Sequence, residues 1–402
     1  MKKDDWSKYG VLFSLYIAQS VPMAFFSSVL PVIMRQNHFT LTSIGLLQLI
    51  KLPWILKFLW APLVDRHTRD TRDFKRWIIG AELVYAALIL SLAFLDLRTD
   101  FPLIIALIVL AFTASATQDI ATDALAVLML RKKERSLGNS VQSGGSFVGT
   151  ILGSGVLLVI YARYGWRYLV VGLALFVLLA LLPLVFTKRE VKKDEQVVRS
   201  VGLKDIVLFF KQKNVGRHVL LLLFFNAAVV GVLAMFRPWL VDLGYQVKQI
   251  GIWSGIYGAT AGFIAAFVAG FTIRRIGKKA SLRLFPALTA LVLAGAVALT
   301  YSSLSGPAVL AVLLAVWAMY GANTVLIYTI AMDSVRPGRE GTDYTIQIVL
   351  VHLGSMLMAV LSGKWAHHFG YRGLFILVLV LQLILVWAIP YLYVFKTDKN
   401  ED

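Results

Sequence analysis

Two lysines lie inside one apolar run of this 402-residue chain, and two aspartates lie inside another. Lys51 and Lys57 belong to KLPWILKFLWAPLVDRHTRDTRDFKR, residues 51–76, an apolar stretch that ends in a burst of charge. Asp119 and Asp123 belong to ATQDIATD, residues 116–123, and a spacing of four puts them on one helix face. Lys51 comes about ten residues into a run that starts near Leu41, which at a rise of about 1.5 Å per residue is close to mid-bilayer. A charge there costs roughly 2.5–3.5 kcal/mol on insertion scales, so Lys51 is expected to face protein or a wet cavity and to have a partner in Asp119 or Asp123. Opposite charges on two buried helices can bind a charged group or take up and release a proton. They imply a protein that handles something polar across a membrane.

Lys57 lies about sixteen residues from the outer end of its span and Asp119 about eighteen from that of its own. Equal depth predicts a Lys57–Asp119 or Lys57–Asp123 pair. Such a pair is either a permanent structural ion pair or a proton-coupling site in which one carboxylate is loaded during a cycle. Glu82 lies about two turns into the next span. It reads as a snorkelling or locally paired acid, or as a proton relay.

Composition excludes most other classes. The chain is 58% hydrophobic and 15% charged, a membrane composition. It has no cysteine, hence no disulfide framework, thiolate metal site or cysteine nucleophile. The balance of +18 is spread between hydrophobic runs, which argues against a nucleic-acid patch. No phosphate-loop motif and no catalytic constellation occurs, so no enzyme activity, cofactor or metal is expected. The glycines at 144, 145, 149, 153 and 155 read as close helix packing and a rocking hinge.

Twelve spans are expected, near 9–34, 41–64, 76–95, 101–130, 138–161, 166–186, 218–241, 249–273, 280–301, 307–332, 343–365 and 371–395. The first follows charged residues 1–8, is too long for a signal segment and lacks a small-residue cleavage site. The polar stretch 187–217, with a short amphipathic piece at 203–210, reads as a linker on the membrane surface. Thirty of the 40 Lys and Arg residues fall on the side of both termini, seven on the other, and Lys51, Lys57 and Arg237 inside spans. Both termini are therefore expected in the cytoplasm.

The halves repeat. Ile44-Gly45 recurs as Ile250-Gly251, Leu30-Pro31 as Arg237-Pro238, and Gly165-Trp166-Arg167 as Gly370-Tyr371-Arg372, at offsets of 205 to 207. The charged loop after span two (Asp65, Arg66, Lys75, Arg76) matches a basic loop after span eight (Arg274, Arg275, Lys278, Lys279). A near-constant offset across half the chain indicates a six-plus-six duplication. The expected fold is an all-α membrane protein of the major facilitator type, with twelve transmembrane helices in two pseudo-symmetric bundles. Residues 1–186 and 218–402 form the bundles, joined by a cytoplasmic linker at 187–217.

LPWILKFLWAPLVDR followed by SATQDIATDALAV resembles the AmpG-type branch of the major facilitator superfamily, across all twelve spans. That branch holds muropeptide permeases, acetyl-CoA transporters and siderophore-uptake permeases. GTDYTIQ at 341–347 is also similar and leans toward the siderophore and uncharacterised members. The resemblance implies a secondary transporter, a proton-coupled symporter importing its solute through the bacterial inner membrane. It further implies that Asp65 and Arg66, with Arg76, Arg274 and Arg275, gate the cytoplasmic face, although direct substrate contact by Asp65 or Arg66 is an alternative.

The same resemblance implies a cavity lined by spans one, four, seven and ten, where Gln19, Asn226, Arg237, Trp317, Tyr320 and Asn323 lie. Lys51 joins them as a candidate ligand for substrate. An amide in a span is also common helix–helix glue. Arg237 suits a carboxylate or phosphate, unless Asp242 pairs with it. Gln142, Tyr344, Gln347 and His352 are further substrate-binding candidates, and His352 reads alternatively as a hydrogen-bonding core residue. The reading is an importer of a polar or anionic, amphipathic solute together with protons. A muropeptide stands first, a siderophore second and acetyl-CoA third. A membrane sensor or lipid scramblase is the alternative of another class. The expected partners are the small-molecule solute, protons and the lipid bilayer, with no nucleic acid, and the chain is expected to act as a monomer.

Overall fold

A computed structural model describes residues 3–36, 47–97, 99–187, 190–193, 200–301 and 306–393. The outer start of span two (Leu41, Ile44-Gly45), Arg98, two pieces of the linker (188–189 and 194–199) and the C-terminal residues 394–402 lie outside the described residues. Among the described residues the chain is helical, apart from one isolated bridge between Asp70 and Lys192.

Among the described residues, eight apolar helices are long enough to cross a bilayer, and three of these run for 52 to 55 residues. A straight helix of that length would extend about 80 Å, far beyond a hydrocarbon core of about 30 Å. Each of the three is divided at a glycine of positive φ: Gly165 (φ 77°), Gly277 (φ 82°) and Gly370 (φ 68°). Only glycine adopts that backbone without strain, so these residues end one span and begin the next. Gly165 and Gly370 are the first residues of the repeated Gly-aromatic-Arg triplet, with ψ of −176° and 176°. Divided at these points, and with the broken segment of span two added, the helices accommodate the twelve expected spans.

That segment departs from the single apolar helix expected at 41–64. Its described part is a 3-10 turn at Leu47–Lys51, a short helix at Leu52–Leu56, a second 3-10 turn at Lys57–Leu59, and a helix at Ala61–His67. Pro53 and Pro62 stand in the first turns of the two short helices. Proline lacks the N–H that would continue the preceding turn, so the chain re-starts at each one.

The chain forms two compact units. The first is Met1–Ile206 together with Met332–Val349. Its core holds Phe25, Phe26, Tyr85, Ile89 and Phe112, with Phe26 and Tyr85 meeting Phe112 edge-on at 6.0 and 6.5 Å between ring centres. A second cluster holds Val64, Phe74, Ile78, Ile120 and Leu125. The glycine-rich fifth span presses on the first: a Cβ added at Gly149 would fall 2.3 Å from that of Ser20, and one at Gly153 would fall 2.4 Å from the Val21 carbonyl oxygen. Both helices carry a π turn where this contact continues, at Phe25–Val29 and at Leu152–Val156, which holds Gly153.

The second unit is Val207–Ala331 together with Leu350–Asp402. Phe236, Trp239, Leu240 and Phe375 centre its core, with Trp239 edge-on to Phe375 at 5.2 Å. Gly321 and Gly354 allow backbone contact with Gly262 and Leu223. Each unit exposes large apolar side chains, among them Leu83, Leu110 and Leu179 in the first and Val268, Phe271 and Leu361 in the second. Helices with a lipid-facing surface look like this, because backbone polarity is satisfied internally and the side chains need no water.

Candidate functional site

Lys57 is held in its 3-10 turn with its ammonium pointing inward. The side chain is completely buried and ion-paired with Asp119 Oδ2. Gln19 Nε2 donates to the other Asp119 oxygen at 2.8 Å, and the Lys57 Nζ lies 4.7 Å from the centre of the Trp54 ring. Trp60 Nε1 donates to Thr117 Oγ1 at 3.1 Å. The two motifs singled out in the sequence are therefore each other's partners. Removing one member of a buried pair leaves an uncompensated charge, at a cost of about 3–5 kcal/mol.

Asp123, one turn further along the same helix, is 1% exposed. Its Oδ1 accepts from the Tyr16 hydroxyl at 2.7 Å and from Gln142 Nε2 at 3.4 Å. Its Oδ2 is buried without a hydrogen-bond partner among the described residues. The Tyr344 hydroxyl lies 3.2 Å from both Gln142 Oε1 and Asn139 Oδ1. Asn139 Nδ2 in turn donates to the Arg135 carbonyl at 2.8 Å and reaches Met332 Sδ at 3.8 Å. Gln142 and Tyr344, expected as substrate contacts, are thus buried and bonded to protein groups. Gln347 likewise donates to the Asp343 carbonyl at 3.0 Å.

Asp65 ends the second span fully buried. Lys193 Nζ donates to its Oδ1 at 2.9 Å, and the same ammonium lies 3.1 Å from Glu340 Oε2. The first turn of the helix starting at Glu340 points at Asp65: Gly341 N donates to Oδ1 at 3.0 Å, while Thr342 N and Oγ1 donate to Oδ2 at 2.6 and 2.7 Å. A carboxylate suits a helix N-terminus, where backbone N–H groups are unused and the dipole is positive. Burial disfavours the charge on Lys193, but Asp65 and Glu340 outweigh it and hold the ammonium above its ordinary value. The linker strand carrying Lys193 is itself pinned, Lys193 N donating to the Arg69 carbonyl at 2.8 Å and Val191 N to Thr71 Oγ1 at 2.7 Å.

Two more ion pairs, at Asp333 and Arg339, tie Met332–Val349 down within the first unit, and a third, at Arg336, is made within the segment. Arg135 Nη1 meets Asp333 Oδ1 at 2.8 Å, Arg336 Nη2 meets Asp343 Oδ1 at 2.5 Å, and Arg339 Nε meets Asp205 Oδ1 at 2.7 Å. Arg66 is exposed, as is Arg76, which lies 3.7 Å from Asp73. Arg274 and Arg275 are exposed on the second unit.

Other expected residues divide. Lys51 is exposed, and among the described residues no carboxylate pairs with it, so of these two lysines it is Lys57 that has the acidic partner. The break at Pro53 puts the two lysines on different faces. Glu82 is completely buried, with both carboxyl oxygens unbonded among the described residues. In the second unit Asn323 donates to Thr289 Oγ1 at 3.0 Å and is helix–helix glue. Asn226, at the break between Val215–Phe224 and Ala227–Asp242, donates to Thr324 Oγ1 at 3.3 Å. Trp317 and Tyr320 meet edge-on at 6.0 Å. Arg237 is exposed, and Asp242, its expected local partner, accepts from the Tyr371 hydroxyl at 2.5 Å. His352 is exposed, with Nε2 3.2 Å from the Tyr328 hydroxyl.

Tyr16 was readable beside Gln19, since a spacing of three shares a helix face with it. Asn139, Lys193, Thr342 and the Arg336–Asp343 pair lie in loops and helix ends, where no periodicity singles them out.

The geometry is that of a helical membrane transporter with charges sequestered in its first bundle. The family model of the major facilitator superfamily matches residues 12–354 and 219–402, and the chain belongs to that superfamily. It is 24% identical over 407 residues to an uncharacterized protein of Haemophilus influenzae, covering 95% of this chain and 93% of that one. It is 25% identical to the anhydromuropeptide permease of Escherichia coli over 69% of this chain and 57% of the permease. It is 22% identical to a putative transporter AmpG 4 of Rickettsia conorii, over 95% of both. These relatives bear out the AmpG-type resemblance. The fold matches that of the human organic anion transporter MFSD10 (TM-score 0.72, 14% identity, 96% of this chain and 99% of that one). It also matches the Escherichia coli fucose:proton symporter (TM-score 0.71, 12% identity, 96% and 98%).

Proposed function

We propose that this multi-pass membrane protein imports an anhydro-muropeptide or a close chemical relative, driven by protons, across the bacterial inner membrane. Both termini lie in the cytoplasm, and the monomer is the working unit. The observation that carries the reading is the sealed Lys57–Asp119 pair beside Asp123, whose Oδ2 is buried and free to take a proton. A permanently ionised carboxylate so placed would be costly unless paired, whereas one that changes partner can be loaded and emptied. Asp119 carries the proton, and Asp123 links it to the cytoplasmic gate built on Asp65. Glu82, sealed and unbonded, is a second acid available to the same proton path. In the second unit Arg237 is the cation available to an anionic ligand, with Asn226, Trp317 and Tyr320 as further contacts; amide and aromatic groups suit a sugar-peptide.

The test is uptake into proteoliposomes of labelled anhydro-muropeptide against labelled ferri-siderophore, each with and without an inwardly directed proton gradient. Gradient-dependent accumulation of the muropeptide supports the reading. Accumulation of the siderophore alone replaces the substrate, and accumulation of either without the gradient sinks the coupling.

A further inference from the structure

The Tyr344 hydroxyl has one hydrogen and two carbonyl acceptors at the same distance. Gln142 Oε1 and Asn139 Oδ1 both lie 3.2 Å from it, and one O–H can donate fully to only one of them. On one side, Gln142 continues to Asp123 Oδ1. On the other, Asn139 continues to the Arg135 carbonyl and Met332. All four side chains are buried, at 7% exposure or less. Tyr344 belongs to Met332–Val349, the segment of the first unit that the chain reaches from Ala331 and leaves for Leu350, both in the second. Any rearrangement between the two units during transport must act on this segment through its covalent ends.

We propose that Tyr344 is a positioning residue that couples the protonation of Asp123 to the grip on Met332–Val349, its hydroxyl pointing to Gln142 when Asp123 is ionised and to Asn139 when it is protonated. An ionised Asp123 attracts the Gln142 amide N–H₂, since bonds to a charged acceptor are the stronger ones, and this aims Gln142 Oε1 at Tyr344. A proton added to the unbonded Oδ2 removes that attraction. The carboxyl can then turn to donate its O–H to Gln142 Oε1, which turns the amide over and presents its N–H to the tyrosine oxygen, and Tyr344 donates to Asn139 instead. The proton carried by Asp119 is passed to and from Asp123 Oδ2, and Tyr344 keeps its own throughout. The titratable groups around Asp123 are Asp119 on its own helix, Lys57 from the second span, Tyr16 from the first and, beyond Gln142, Tyr344. Of these, Tyr344 lies in the segment itself, so the tyrosine is the link.

The inference rests on the reading of Asp119 and Asp123 as a proton site, and the test separates the two. Proteoliposomes carrying full-length protein are assayed with labelled anhydro-muropeptide for counterflow exchange and for accumulation under a proton gradient. In parallel, a Thr345→Cys reporter, whose side chain is buried beside Tyr344 in a chain without cysteine, is labelled across pH. In Tyr344→Phe, accumulation falls about fivefold or more while the KM of exchange holds, the size expected of a coupling energy. Reporter labelling, which accelerates as pH falls in the parent, becomes independent of pH. Wild-type accumulation in Tyr344→Phe, or a joint loss of exchange and accumulation, overturns the relay. Full accumulation in Asp119→Asn and Asp123→Asn would instead remove the proton site itself. If Tyr344→Phe does not fold, Gln142→Met breaks the same link at nearly constant volume and is read by the same measurements.

Discussion

Lys57 on the broken second span and Asp119 on the fourth hold one another out of solvent, with 1% and 4% of their side chains exposed. Gln19 engages the remaining Asp119 oxygen, so every strong bond of that carboxylate is made to a named group. Such a pair changes state only if one of its three members moves or a proton arrives.

Asp119→Asn should therefore abolish accumulation driven by a pH gradient while counterflow exchange, which needs no net proton movement, stays measurable. It should also lower thermal stability, because Lys57 is left buried and unpaired, by about 3–5 kcal/mol. A Lys57→Met/Asp119→Asn double variant should recover much of that stability. A single variant that accumulates solute normally would remove Asp119 from the mechanism.

Asp65→Asn should loosen the contacts at Gly341, Thr342 and Lys193 and favour the inward-facing state. Labelling of Thr345→Cys in that background should then be faster than in the parent, by about tenfold if 1.4 kcal/mol of grip is lost. Arg66→Gln should leave the rate unchanged, since Arg66 is exposed. Equal rates in Asp65→Asn and the parent would dismiss the latch.

Lys193 sets the pH range of that latch. Its folded-state value is raised above the ordinary 10.5, so its contribution is complete below that value and is lost only as pH rises through the still higher folded one. The protection that Lys193 gives Thr345→Cys should be constant from neutrality into mildly alkaline solution. Lys193→Met leaves Asp65 and Glu340 without their shared cation and should increase labelling at all these pH values. A parent protein whose latch opens as pH rises through the histidine range would contradict the assignment.

Arg237→Lys should already weaken uptake of an anionic solute, because a guanidinium binds a carboxylate with two parallel N–H donors and an ammonium does not. A tenfold rise in KM corresponds to about 1.4 kcal/mol. Unchanged affinity in Arg237→Ala would assign the residue to the protein's own architecture.

Gly149→Ala forces a Cβ to within 2.3 Å of Ser20 and should destabilise by about 1–3 kcal/mol, as overpacking does. Gly155→Ala meets nothing within 4 Å and should leave the melting temperature in detergent unchanged. Similar losses in both would show that the contact with Ser20 does not govern this span, since the substitution itself favours helix.

Much of this was legible in the chain. Span positions follow from apolar length, and a pairing of Lys57 with Asp119 or Asp123 follows from depth, because both are set by a bilayer of fixed thickness. The repeated glycine triplet marks turns that only glycine accepts. What pattern could not carry is rotation: whether Lys51 or Lys57 turns inward depends on where Pro53 and Pro62 restart the helix. Partner choice at the ends of helices was equally hidden. Asp65 selects Lys193 from a linker of mixed charge, and no spacing distinguishes that lysine from Lys192 beside it.

The assignment of Met332–Val349 to the first unit means that the backbone passes from one unit to the other three times, after Ile206, Ala331 and Val349. A protease cut between Lys193 and Ser200 would leave all three crossings intact and part the first unit from its own segments 200–206 and Met332–Val349. Nicked protein should therefore run as two fragments in denaturing gels yet stay together through affinity purification by a tag on either piece, held by the Arg135–Asp333 and Lys193–Glu340 ion pairs and by the bonds of Gly341 and Thr342 to Asp65.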